Sequence, residues 1–180
     1  MGFALAEACA ERGAEVTLVA GPVSLKTHHP AIKRIDVESA GEMYQAAMTA
    51  FPSSDAAILC AAVADYRPEN ASEQKIKRET EREMTLHLVP NPDIAASLGA
   101  IKREGQVMVG FALETNDEAT HAEGKLKRKN LDFIVLNSLR DQGAGFRCDT
   151  NKITIIDNAG GVTSYPLKTK REVACDIVNK

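Results

Sequence analysis

Apolar and polar positions along the chain recur with two periods. Residues 2–12 carry Leu5, Ala8 and Cys9 at helical spacing, and Gly13 suits the helix C-terminus. "AEVTLVAGP" follows as a continuous apolar strand that stops at Gly21 and Pro22. Ser39 and Glu42 stand at capping-box spacing ahead of a helical stripe of Ala40, Met43, Tyr44, Ala47 and Phe51. A second buried strand is predicted over 56–63, and "MTLHLVP" alternates as a strand with one wet face does. Asn91, Pro92 and Asp93 read as an N-cap, a proline at the first helical position and an acid in the first turn. Ile94, Leu98 and Ile101 supply the apolar stripe of that helix. "QVMVGFALE" is a third buried strand, Thr115 and Glu118 form a further capping box before a helix ending near Lys129, and "LDFIVLNS" is a fourth strand. "NKITIID", "NAGG" and "VTSYPL" then read as a hairpin with an Asn/Gly turn, and 168–179 closes as a helix.

Strands and helices taking turns predict an α/β fold. It is expected to be a three-layer, Rossmann-like, mostly parallel sheet flanked by helices, with a C-terminal hairpin, in one domain over residues 1–180. The opening helix and strand form half of a βαβ unit whose first strand would precede Met1. Ligands of open α/β sheets bind at the carboxyl ends of the strands. Here those ends are Ala20-Gly21-Pro22, residues 61–65, residues 111–114, and Asn137-Ser138.

Asp65 closes the second strand. Its carboxylate could accept ribose or base hydrogen bonds, help hold a cation, or pair with Arg67 and fix the loop. Lys75 and Lys77 are two apart, so on an extended segment both side chains point one way, toward a polyphosphate or into solvent. The Asn91–Ile94 turn offers free N–H groups at a helix start, but Asp93 repels a phosphate there. Contacts to a base or ribose fit that turn better, beside ordinary capping. Lys125 and Lys129 share one helix face, with Lys127 and Arg128 pointing elsewhere. That face either is solvated or lines the cleft of Asp65, and Phe111 either packs on a nucleobase or belongs to the core.

Composition narrows the classes. The formal net charge of −3 gives no global attraction to nucleic acid or an anionic membrane, so any basic site is local. Aromatic content of 4% argues against a base-stacking platform. No apolar run approaches a membrane span and no signal peptide is visible. Cys9, Cys60, Cys148 and Cys175 form no CxxC pair and have no histidine at zinc-ligand spacing, which predicts free thiols in a reducing cytoplasm. There is no GxGxxG, P-loop or GxSxG motif, and Tyr66 has no lysine four residues on. The residues by themselves predict a cytosolic α/β domain whose basic cleft suits a nucleotide or phosphorylated metabolite.

The motifs "MGFALAEACAERGAEVTLVAGPVSL", "AAVADYRP", "KIKR", "NPDI", "GFALET" and "KLKRKNLDFIVLN" run in order over nearly the whole chain. In combination they resemble phosphopantothenate–cysteine ligase, the ligase half of the bacterial bifunctional coenzyme A biosynthesis flavoprotein. The resemblance implies that 4′-phosphopantothenate is activated by CTP, with Mg²⁺, to an acyl-cytidylate that the amine of cysteine then attacks. It implies that Asp65 binds the nucleotide and that Lys75 contacts the triphosphate and assists activation. Leu59, Cys60, Ala61, the Pro92-Asp93-Ile94-Ala95 turn and Phe111 would hold the nucleotide, and Lys125 and Lys129 would reach its phosphates. Residues 68–74 would cover it. The resemblance also implies a homodimer, a decarboxylase half elsewhere in the bifunctional protein, and no FMN on this chain. The family carries, ahead of the residues matching Met1, a first strand, a glycine-rich turn and an Asn-x-Ser-Ser-Gly-Lys segment whose asparagine serves the cysteine step. An N-terminally truncated member is therefore expected, with nucleotide binding at most and ligase turnover lost or impaired. Two other readings are a nicotinamide-binding oxidoreductase domain and a non-catalytic dimerisation fragment.

Overall fold

The computed structural model describes residues 1–72, 74–75, 84–114, 118–138 and 148–180, with the side chains of 114, 118–121 and 138 left out. Helix α1 (Gly2–Ala10) ends in a turn closed by Gly13 at φ 88°, a left-handed value that favours glycine. Strand β1 (Val16–Ala20) follows and pairs in parallel with β2 (Ile32–Asp36). The apolar pattern did not announce β2, because three of the five residues of "IKRID" are charged. Local bonds hold it instead: Arg34 donates to Asp36 at 2.7 Å and lies 5.4 Å over the Phe3 ring. Helix α2 (Ala40–Ala50) starts where the capping box predicts, with the Ser39 hydroxyl accepting the Glu42 N–H at 3.1 Å.

A 3₁₀ turn (Phe51–Ser53) leads to β3 (Ala56–Leu59), which stops four residues short of the predicted end. Strands β4 (Tyr66–Pro68) and β5 (Leu88–Pro90) form a separate antiparallel ribbon, so "MTLHLVP" is strand only in its last three residues. After α3 (Ile94–Ile101) come β6 (Val107–Glu114), α4 (Glu118–Arg128) and β7 (Phe133–Ser138). The box proposed at Thr115 and Glu118 lies outside the described residues. Strand β8 (Thr150–Asn151), the hairpin β9 (Ile153–Asp157) and β10 (Val162–Ser164), β11 (Lys168–Thr169) and α5 (Lys170–Val178) complete the chain. Thr169 caps α5 in a full capping box with Glu172, so the last helix begins two residues later than its periodicity suggests.

The central sheet runs β10-β9-β7-β6-β3. Strands β3, β6 and β7 are parallel, but β7 with β9 and β9 with β10 are antiparallel. The sheet is therefore mixed, which corrects the expectation of a mostly parallel one. The C-terminal hairpin accounts for it: β9 pairs antiparallel with β7, and β10 antiparallel with β9, as strands of the sheet. Alternation along β7 sends Phe133 and Val135 to one face and Ile134 and Leu136 to the other. Leu5 and Ala8 of α1 with Val173 and Ile177 of α5 cover the first face. Phe51, Leu98 of α3 and Leu126 of α4 cover the second. That is the three-layer arrangement expected.

One close approach sets the second layer. A Cβ on Gly99 would run into the Lys129 carbonyl, so only glycine lets α3 lie this tightly on the end of α4. Asn130, at a left-handed φ of 51°, locks the contact by donating to the Gly99 carbonyl at 3.0 Å. Gly99→Ala is expected to cost about 1–3 kcal/mol through overpacking, measured as a lowered urea midpoint. Gly124→Ala, facing open space on α4, should be neutral or stabilising by up to about 1 kcal/mol.

Candidate functional site

An open cavity of about 290 Å³ lies at the carboxyl ends of β3, β6 and β7. Cys60 and Ala61 follow β3, Phe111 comes from β6 and Asn137 from β7. Two further lining residues, Asn151 and Lys170, come from the antiparallel part of the fold. Because β9 runs against β7, it starts where β7 ends, and Asn137 stands opposite Ile153. Strand β8 just ahead of it pairs with β11, Lys168 opposite Asn151, and so delivers the first residue of α5 to the cavity rim. Gly2 closes the near side, where a Cβ would sit 3.1 Å from the Cys60 sulfur. Burial pushes the Cys60 thiol up, so at neutral pH it is a packing group rather than a nucleophile.

Beside the cavity, the loop after β3 is stapled to the start of α3. The Asn91 N–H donates to the Asp65 carbonyl at 2.8 Å and the Asn91 side chain donates to the Ala64 carbonyl at 2.9 Å. Arg67 donates to the Pro90 carbonyl at 2.8 Å and to Asn91 Oδ1 at 3.2 Å. Asn91 is therefore a loop clamp and not the helix cap. The cap is Asp93, whose carboxylate accepts the Ala96 N–H at 3.0 Å, and Pro92 stands outside the helix. Proline fits the residue before the cap because the extended backbone there requires no N–H bond. Asp93 also pairs with Lys129 at 3.0 Å.

The predicted residues divide into groups. Cys60, Ala61 and Phe111 meet in the cavity, with Phe111 also packed against the core and Leu59 ending β3 above it. Asp65 lies on the clamped loop, exposed, and Arg67 is committed elsewhere, so among the described residues no cation pairs with Asp65. Ile94 packs on the core and Ala95 is half-buried in the first turn of α3. Lys125 and Lys129 are half-buried on α4 and its end, while Lys127 and Arg128 are exposed as their phase predicts. Lys75 is exposed and does not line the cavity, and Lys77 falls outside the described residues. Sequence reasoning missed Gly2, Asn151 and Lys170. Only the pairing of β8 with β11 reveals the last two, and no motif marks it. Among the described residues no group of three or more His, Cys, Asp or Glu side chains is placed to hold a metal ion. No helix among them is long and apolar enough to cross a membrane.

Residues 1–180 match the family described as DNA/pantothenate metabolism flavoprotein C-terminal domain. A Cysteine/Cysteine sulfinic acid decarboxylase from an unknown prokaryotic organism is 57% identical over 180 residues, covering 100% of this chain and 50% of that protein. The Coenzyme A biosynthesis bifunctional protein CoaBC of Vibrio parahaemolyticus is 46% identical over 181 residues, 100% of this chain and 45% of that protein. The chain thus spans about half the length of the curated relatives it matches. The crystal structure of the C-terminal domain of a Coenzyme A biosynthesis bifunctional protein CoaBC superposes with a TM-score of 0.81 at 34% identity, over 99% of this chain and 78% of that chain.

The Asp93 cap carries a pH signature. Burial pushes its pKa up, but the Ala96 N–H and the Lys129 ammonium outweigh that and hold it below the ordinary 3.8. A depressed folded-state pKa contributes stability that is full above the unfolded value and is lost as pH falls through the folded one. Asp93→Ala should cost about 0.5–2 kcal/mol at pH 7. The gap to wild type should shrink below pH 3.8, measured by urea melts across the acid limb.

Proposed function

The chain belongs to the family of DNA/pantothenate metabolism flavoprotein C-terminal domains, and we propose that it is a phosphopantothenoylcysteine synthetase domain acting in coenzyme A biosynthesis. The observation that carries the reading is the cavity at the strand ends, walled by Cys60, Ala61 and Phe111, beside a clamped loop that presents the unpaired Asp65. A carboxylate is a poor electrophile at neutral pH, and a nucleotidyl leaving group remedies that. The carboxylate oxygen of 4′-phosphopantothenate attacks the α-phosphate of CTP, forming an acyl-cytidylate and releasing pyrophosphate. The cysteine amine then attacks the acyl carbon, forming the amide and releasing CMP.

Each residue has a role in that scheme. Asp65 accepts hydrogen bonds from the ribose or base, and Phe111 packs on the nucleoside. Lys75, Lys125 and Lys129 neutralise the triphosphate, Lys129 with the donors that Asp93 leaves over, since an ammonium has three. Fixed cations aimed at developing phosphate charge are the main contribution a protein makes to such a transfer. Magnesium would enter as the counter-ion of the triphosphate. The decarboxylase activity named for one relative belongs to a protein of which this chain spans half.

Calorimetric titration of CTP–Mg²⁺ into the chain is expected to show saturable binding, weakened at least about tenfold by Lys75→Ala or Asp65→Ala, as loss of a charge-assisted contact predicts. Binding of NADPH with none of CTP would replace the reading by a nicotinamide oxidoreductase. ATP in parallel measures the base preference.

The β4–β5 ribbon supports self-association. Tyr66, Met84, Leu86 and Leu88 on and beside it are each more than half exposed, a cluster of apolar surface that a solvated arm would not carry. A homodimer paired through this arm is expected in sedimentation velocity, with Leu86→Lys/Leu88→Lys shifting it to monomer. A dimer without CTP affinity would instead mark a non-catalytic association module.

A further inference from the structure

The cavity lining has two chemically different parts, and the nucleotide scheme uses only one. Phe111, Ala61 and Gly2 contribute apolar surface, while Asn137, Asn151 and Lys170 contribute polar groups, with the Met1 ammonium near enough to Lys170 to repel it. Asn151 is 2% exposed and both polar atoms of its amide are hydrogen-bonded. Its Nδ2 donates to Asn137 Oδ1 at 2.9 Å, and its Oδ1 accepts the Lys152 N–H at 3.0 Å. The bond to Asn137 turns the oxygen of that amide toward Asn151 and takes one of its lone pairs, which leaves the Asn137 NH₂ group as a donor for the cavity.

Lys170 is half-buried at the cavity rim, and the nearby acids of α5 are taken. Asp176 is held by Lys168 at 2.7 Å, and Glu172 by the Thr169 N–H at 2.9 Å and hydroxyl at 2.6 Å. Among the described residues no carboxylate pairs with Lys170. It also stands at the first residue of a helix, the end at which a cation is disfavoured and an anion favoured. An ammonium and an amide NH₂ thus line the same cavity as donors, together with apolar side chains. The volume of about 290 Å³ is too small to enclose a nucleoside triphosphate and suits the end of a smaller organic acid.

We propose that Lys170 and Asn137 bind an anionic oxygen group of the acid substrate, carboxylate or phosphate ester, with Asn151 as the positioning residue that turns the Asn137 amide donor-first. The acid then lies on the Lys170 side of the cavity while the nucleotide occupies the wall formed by Cys60, Ala61 and Phe111. This assignment rests on the ligase reading above.

The test is calorimetric titration of 4′-phosphopantothenate, pantothenate and, separately, CTP–Mg²⁺ into wild type, Lys170→Met, Lys170→Arg and Asn137→Asp, each checked for an unchanged melting temperature. Lys170→Met and Asn137→Asp are expected to weaken 4′-phosphopantothenate at least about tenfold, the scale of a lost charge-assisted contact. CTP should be unaffected within about twofold, and Lys170→Arg should recover most of the loss, which a merely structural role would not produce. If pantothenate binding falls in parallel, the group held is the carboxylate. If only the phosphorylated acid is affected, it is the phosphate. Unaltered affinity in both variants overturns the assignment, as does a wild type that binds CTP and no acid. A wild type that binds neither overturns the ligase reading itself.

Discussion

Strand β7 is the constraint on which the rest of the molecule depends. Its first four residues, Phe133 to Leu136, are apolar and buried on alternating faces, so both faces must be covered and both edges hydrogen-bonded. The parallel edge is filled by β6 and the antiparallel edge by β9. That change of direction has a functional consequence. Parallel strands bring their carboxyl ends to one side, where ligands gather, and an antiparallel neighbour brings its amino end to the same side. Asn137 leaving β7 and Asn151 entering the C-terminal hairpin are thereby made to meet.

The helical layer depends on a different kind of contact. Gly99 lets α3 approach the end of α4 at backbone distance, and Asn130 and Lys129 fasten that approach from the α4 side. Asp93 is capped helix, ion pair and loop neighbour at once. With the start of α3 fixed, Asn91 can hold the Ala64 and Asp65 carbonyls, and the loop carrying Asp65 acquires a position. The order of dependence therefore runs from a glycine contact through a cap to the orientation of a carboxylate two elements away.

Periodicity was enough to find β1, β6, β7, the hairpin and the α-helices among the described residues, because each carries a regular apolar face. It failed at β2, where three charges in five residues look like a loop, and at the cap of α3, where Asn91, Pro92 and Asp93 offer two chemically acceptable N-caps. Local sequence cannot choose between them, since the choice is made by carbonyls at Ala64 and Asp65 that lie 27 residues away in the case of the side-chain bond. The cavity wall of Cys60, Ala61 and Phe111 was legible as strand ends, whereas Asn151 and Lys170 were not. Their placement follows from strand direction, which pattern alone does not encode. The parallel expectation would have put both at the far end of the sheet.

A chain of net charge −3 can still concentrate positive charge locally, and its lysines show where. The half-buried lysines among the described residues are nearly all compensated. Lys102 has Asp132 at 2.6 Å, Lys129 has Asp93 at 3.0 Å and Lys168 has Asp176 at 2.7 Å, and Lys125 has an interaction of its own. Such pairs take up positive charge in structure and cancel most of its reach at ordinary salt. Lys170 breaks the pattern, half-buried, uncompensated by the described carboxylates and at a helix start. A half-buried ammonium is less screened than one in open solvent, so its charge counts for more there. Among the half-buried lysines, Lys170 is thus the one whose charge the described carboxylates do not take up.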